Sequence, residues 1–339
     1  MTSSSIRRPG SASRSARISY AIMLVVLVLI GWLHLATLVL TALFGFFALR
    51  LFLWGGRKWL ALLLYALLAT TIVVGLGYFS KAAYVTLPKI AETTIPAVVE
   101  YAERKGLDLP FTDYASLKPL ALAWVQTKVA NIGTYARGAV FEIASFFIGL
   151  VAAASLFLNS KFIMEGDPHA VRGSLYATVS RELALRAITF FRSFSTVIGA
   201  QILISAINTV MTSGFLLWNG YPYVPVIVAL TFLLGLLPIV GNLMSNTLII
   251  GVGFSISPKV AFAALVFLVV LHKLEYFLNS KIIGDRIKNP MWLTLIGLVV
   301  GERLMGLPGM IFAPVVLHYV KVEASRNRAD RHAPDDEQV

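Results

Sequence analysis

Apolar residues run along this chain in blocks too long for a half-buried helix. The first, Ile18 to Trp54, has 37 residues, which as one helix would measure roughly 55 Å against a hydrocarbon core of about 30 Å. It must fold back, and Gly31-Trp32-Leu33-His34 is the weak point, so the pattern predicts a tight helical hairpin. Trp59 to Phe79 supplies a third span. Lys81 to Arg137 is then the only sizeable external segment, with Pro88, Pro96, Pro110 and Pro119 punctuating short amphipathic stretches and Gly106 giving a helix stop after Ala97 to Lys105. A fourth span, Ala139 to Leu158, returns inward. In the stretch Lys161 to Arg192, Arg181, Glu182, Leu183, Leu185, Arg186 and Ile188 mix charge and apolar surface at helical spacing, which predicts an amphipathic helix on the cytoplasmic face. It leads into a fifth span, Thr196 to Trp218.

The C-terminal half is interrupted differently. Tyr223 to Ile256 is broken by Leu237-Pro238-Ile239-Val240-Gly241-Asn242, and Met291 to Tyr319 by Gly301-Glu302 and Gly306-Leu307-Pro308-Gly309, with one unbroken span, Val260 to Leu278, between them. Pro removes a ladder hydrogen bond and Gly permits a reversal, so each broken segment reads as two half-length helices meeting at a tip. Two long, kinked and tilted crossings are the alternative. Charge favours hairpins: they leave the loop carrying Lys281, Asp285, Arg286 and Lys288 on the cytoplasmic side, as the positive-inside bias asks.

Composition agrees with this picture. Of 339 residues, 58% are hydrophobic and 14% charged, and mean hydropathy is +0.78, which excludes an ordinary soluble globule and indicates an all-α, polytopic integral membrane protein with about eight transmembrane segments. The net charge of +12 would suggest nucleic acid in a soluble protein, but here it is read as topology, with no nucleic-acid partner. Arg7, Arg8, Arg14 and Arg17 hold the N-terminus inside; a transit peptide is the other reading of that stretch. The resulting organisation is a disordered cytoplasmic tail over 1–17, a helical hairpin plus third helix over 18–80, an extracytoplasmic amphipathic segment over 81–138, a transport core over 139–321 containing the cytoplasmic amphipathic helix 161–195, and a disordered cytoplasmic tail over 322–339.

Zero Cys removes disulfides, thiolate metal sites and Cys nucleophiles. Phosphate-loop, Gly-x-Ser-x-Gly and HExxH patterns are missing as well, so neither an enzyme, an ATP-driven pump, a cofactor nor a metal is expected. The candidate chemistry lies where polar residues enter apolar spans. On a helix His272, Glu275, Tyr276 and Asn279 share one stripe while Lys273 points away. A Glu at mid-bilayer costs at least about 2.5 kcal/mol, so this stripe should face protein or a water-filled path, unless it is simply the helix end. Pro238, Gly241, Asn242 and Asn246 at the first break, and Glu302, Gly306 and Gly309 at the second, complete a candidate substrate pathway, because paired interruptions expose amides and carbonyls near the midplane. Gly297 and Gly301 have the spacing of close helix packing. Glu275, Glu302 and His272 have the chemistry of a proton relay, while Glu302 next to Arg303 also reads as a charge pair at an irregular turn.

Leu237-Pro238-Ile239-Val240-Gly241, Glu275 with Lys281-Ile282-Ile283-Gly284, Pro290, and Gly306-Leu307-Pro308-Gly309-Met310-Ile311-Phe312-Ala313-Pro314 resemble, in order and spacing, the C-terminal half of the AI-2E family of transporters, the autoinducer-2 exporter-like permeases. The resemblance runs from about Ile18 to Lys321. It implies an eight-helix plan, secondary transport without ATP in the bacterial inner membrane, export of the autoinducer-2 signal or sodium–proton exchange, and a homo-oligomer, expected to be a pentamer. Ser280 departs from the pattern, since many members carry Pro there. The expected partners are therefore the lipid bilayer, a small polar solute or monovalent cation, and further copies of the chain. The alternatives are a sodium–proton antiporter and a non-transporting scaffold acting through segment 81–138.

Overall fold

A computed structural model describes residues 14–106, 132–159, 174–283 and 290–329. Among these, every regular element is a helix: α1 Arg14–Trp32, α2 Ala36–Phe52, α3 Lys58–Arg104, α4 Ile132–Leu158, α5 Leu175–Trp218, α6 Val224–Gly235, α7 Val240–Ile256, α8 Pro258–Ile283 and α9 Met291–Ala329. Within the described residues α1, α3, α4, α5 and α9 contain spans long and apolar enough to cross a membrane, and α2, α6 and α7 are shorter apolar helices. The protein is thus an all-α, polytopic membrane protein.

The turn between α1 and α2 falls at the expected Gly31–His34, with His34 in the left-handed region (φ 54°). Two other elements run further than the sequence suggests. Pro88 and Pro96 lie inside α3, which continues from Lys58 to Arg104 and stops before Gly106 (φ 68°). Each proline removes one backbone hydrogen bond, yet Ala83 and Ile90 on one face, and Val99 and Ala102 on another beyond Pro96, are buried and hold the helix in place. Similarly, the described part of the amphipathic segment is continuous with the fifth span as α5. Arg186 is buried there, not surface-exposed.

The chain divides into two compact units, Met1–Leu62 with Ala144–Val197 and Arg286–Val339, and Leu63–Ile143 with Ile198–Asp285. In the first, α9 reverses at Gly306, whose φ of 62° and ψ of −146° are open to glycine almost alone. Gly297 lies against Ala313 and Leu317, and a Cβ on either Gly301 or Gly309 would overlap the other's carbonyl. Along a straight helix Gly297 and Leu317 would be roughly 30 Å apart, so α9 is an antiparallel hairpin whose arms touch backbone to backbone. Gly297 has the packing role its spacing suggested. In the same unit Arg186 lies 4.0 Å from the centre of the Tyr20 ring and bonds Glu182 at 2.5 Å, while Tyr20 donates to Glu323 at 2.9 Å.

In the second unit α6 and α7 form the other hairpin. Tyr221, just before α6, donates to Ile249 O of α7 at 3.2 Å, and its hydroxyl would meet a Cβ on Gly253. Ile227, Ile249, Val252, Ala264, Leu268 and Leu271 form the core, and Ile90 of α3 belongs to it. Ser257 caps α8 through a bond to Val260 N at 3.2 Å, with Pro258 at the first helical position, where its missing N–H costs nothing.

Candidate functional site

The tip of the α6–α7 hairpin is where the backbone is least regular. Leu237 N bonds Leu234 O at 2.8 Å, and Val240 N then bonds Pro238 O at 2.7 Å across Ile239, at φ 65° and ψ −63°. This is a γ-turn of positive φ, strained for any residue and most for a β-branched one, at a cost of about 1–3 kcal/mol. Gly241 follows, packed so tightly that a Cβ would overlap Leu234 O. A helix that ends here leaves carbonyls without partners, and α5 supplies two of them: Gln201 Nε2 donates to Gly235 O at 2.6 Å and the Ser205 hydroxyl to Phe232 O at 2.8 Å.

Beneath this tip four helices of the second unit wall a small, open-mouthed polar pocket. Each contributes polar or small residues about one turn apart: Asn208 and Thr212 from α5, Thr231 and Gly235 from α6, Asn242, Ser245 and Asn246 from α7, and His272 and Glu275 from α8. Leu268 and Leu271, earlier on α8, close its apolar side. Asn242 Nδ2 donates to both Glu275 oxygens, at 2.8 and 2.7 Å. These two bonds from the facing helix fix the orientation of the Glu275 side chain in the pocket wall, and hydrogen bonds to a charged group contribute about 1.5–3 kcal/mol. His272 Nδ1 is 3.9 Å from Glu275 Oε2, with 63% of its side chain exposed against 15% for Glu275. Two atoms in the wall have no partner: Asn208 Oδ1 and Thr212 Oγ1. Asn208 is 7% exposed and Thr212 fully buried.

The structure therefore gathers Asn242, Asn246, His272 and Glu275 around one pocket. Pro238 and Gly241 shape its tip and do not line it. Tyr276 and Asn279 lie on α8, but their side chains are outside the described residues, as are those of Ser280 to Ile283 and the whole of Gly284. Glu302, Gly306 and Gly309 belong to the other unit, where Glu302 Oε2 is 3.9 Å from Arg303 Nε and both side chains are exposed. Sequence reasoning missed Gln201, Ser205, Asn208, Thr212, Thr231 and Ser245. The available signal was an amide and a hydroxyl one turn apart, Asn208 and Thr212, inside an otherwise apolar span.

No solved structure matches the chain. It is 25% identical over 198 residues to a Bacillus subtilis (strain 168) protein described as "Putative transport protein YdbI", covering 56% of this chain and 56% of that protein. The chain thus spans little more than half the length of that relative. The sequence pattern of the AI-2E family transporters matches residues 18–325, and the chain belongs to that family of membrane transporters.

Proposed function

We propose that the pocket of the second unit is the solute path of a secondary transporter that moves a small polar solute across the bacterial inner membrane, with the autoinducer-2 signal as the first solute to try. The observation that carries this reading is the pair of orphan groups in the wall, Asn208 Oδ1 and Thr212 Oγ1. A buried polar group without a partner costs about 1–3 kcal/mol, and Leu or Val would fill the same space without that cost. A passing solute or its water provides the missing partner. In this reading the α6–α7 and α9 hairpins are re-entrant, their tips end inside the bilayer as broken helices do around transporter sites, and both termini are cytoplasmic. A homo-oligomer, with five copies expected from the family, is the assembly to look for by mass spectrometry of the detergent-solubilised protein.

Flux into proteoliposomes tests this. Labelled autoinducer-2 and several other polar solutes should include at least one that enters saturably above empty liposomes and is slowed about tenfold or more by Asn242→Leu. No flux for any of them removes the reading. Sodium–proton exchange is a second reading, favoured by the Glu275 carboxylate in the wall. Glu275→Gln should abolish sodium-driven pH change if it holds. A scaffold acting through segment 81–138 is the other alternative; among the described residues of that segment, Ile90 is part of the core behind the pocket.

A further inference from the structure

The pocket wall is unbalanced in charge and in hydrogen bonding. Its one carboxylate, Glu275, faces no Lys or Arg among the lining residues, and the other titratable group, His272, stands 3.9 Å away and mostly exposed. Most of its unfilled capacity is for accepting: Asn208 Oδ1 is an acceptor, Thr212 Oγ1 can accept as well as donate, and both Glu275 oxygens keep lone pairs beyond those used by Asn242. Beside these groups Leu268 and Leu271, both buried, present apolar surface one and two turns before Glu275 on α8. A ligand that answers all of this carries one positive charge, several N–H donors and a short apolar stem.

We infer that the pocket binds a primary ammonium group, its N–H donors directed to Glu275, Asn208 and Thr212 and its alkyl stem resting on Leu268 and Leu271. The inference rests on the pocket being a solute path, and narrows the solute to small organic amines. A bare alkali ion seeks a shell of oxygens and gains nothing from the leucines. A neutral hydroxylated solute leaves the Glu275 charge unanswered. An ammonium carries three N–H donors and no acceptor, enough for Glu275, Asn208 Oδ1 and the accepting lone pairs of Thr212 Oγ1.

The test is the melting temperature of the purified full-length chain in detergent, titrated at constant ionic strength with ethylammonium, tetramethylammonium, sodium or lithium chloride, and separately with ethanol. Ethylammonium should stabilise saturably. Tetramethylammonium, which has the charge without the donors, and ethanol, which has the stem without the charge, should not. Asn208→Leu and Thr212→Val should each raise the half-saturating ethylammonium concentration about tenfold, the loss of one hydrogen bond to a charged group. The ligand-free melting temperature of these two variants should hold or rise, because each removes an unpaired buried polar group. That combination separates a ligand contact from a structural one. Equal stabilisation by every monocation, stabilisation by sodium or lithium alone, no response to ethylammonium, or unchanged half-saturation in both variants would overturn the inference. A specific ethylammonium response with no flux of any solute would remove the transport reading and keep the ligand assignment. Flux of a neutral solute without that response would do the reverse.

Discussion

Four glycine-to-alanine changes in α9 separate a hairpin from a kinked crossing by the sign of their effect. In a continuous helix interior each would stabilise the protein by up to about 1 kcal/mol, because Ala is the better helix former. In the hairpin they differ. At Gly309 or Gly301 the new methyl overlaps a carbonyl of the opposite arm, so the arms must part until that contact is about 3.5 Å, and overpacking of this kind costs about 1–3 kcal/mol. At Gly306 nothing lies within 4 Å, so the penalty is backbone strain alone, about 1–3 kcal/mol. At Gly297 the nearest atom is the flexible end of Leu317, at 3.1 Å, and the change should be nearly neutral. Unfolding in mixed micelles titrated with a denaturing detergent reads all four. Stabilisation by Gly301→Ala and Gly309→Ala would refute the close approach of the arms.

The other hairpin and the pocket give further expectations. Gly241→Ala should lower the melting temperature and slow solute flux, since its methyl overlaps Leu234 O at the strained tip. Gln201→Leu leaves Gly235 O without its donor and should cost about 1–3 kcal/mol in the same unfolding assay. Ile90→Ala, in the proline-bearing part of α3, should cost about 2–5 kcal/mol and weaken ligand binding in thermal titrations, because Ile90 is a core residue 3% exposed.

What the sequence made legible is local punctuation. The tight turn at Gly31–His34, the breaks at Pro238 and Gly306 and the stop at Gly106 all follow from residues that terminate or reverse a helix by their own backbone preferences. The His272–Glu275 face was readable for the same reason, because helical spacing fixes it. Long-range facts were not readable. Proline alone argued against a continuous α3, whereas Ile90, between its prolines, is buried in a core drawn from α6, α7 and α8, far along the chain. Gly301 was recognisable as a packing residue, but nothing nearby in sequence names Gly309 as its partner. Asn208 and Thr212 gain their meaning only from the residues of α6, α7 and α8 that line the same pocket.

Two helical segments that turn back on themselves carry the whole account, and a pair of distances measures this directly. The chain has no Cys, so spin labels can be placed at will. One pair at Tyr223 and Ile256 brackets the α6–α7 hairpin and another at Trp292 and Ala324 brackets α9, all four positions being exposed. In lipid bilayers both pairs should lie within about 20 Å, as arms packed at ordinary interhelical distance require. Distances of roughly 50 Å in both, the length of uninterrupted helices, would contradict it.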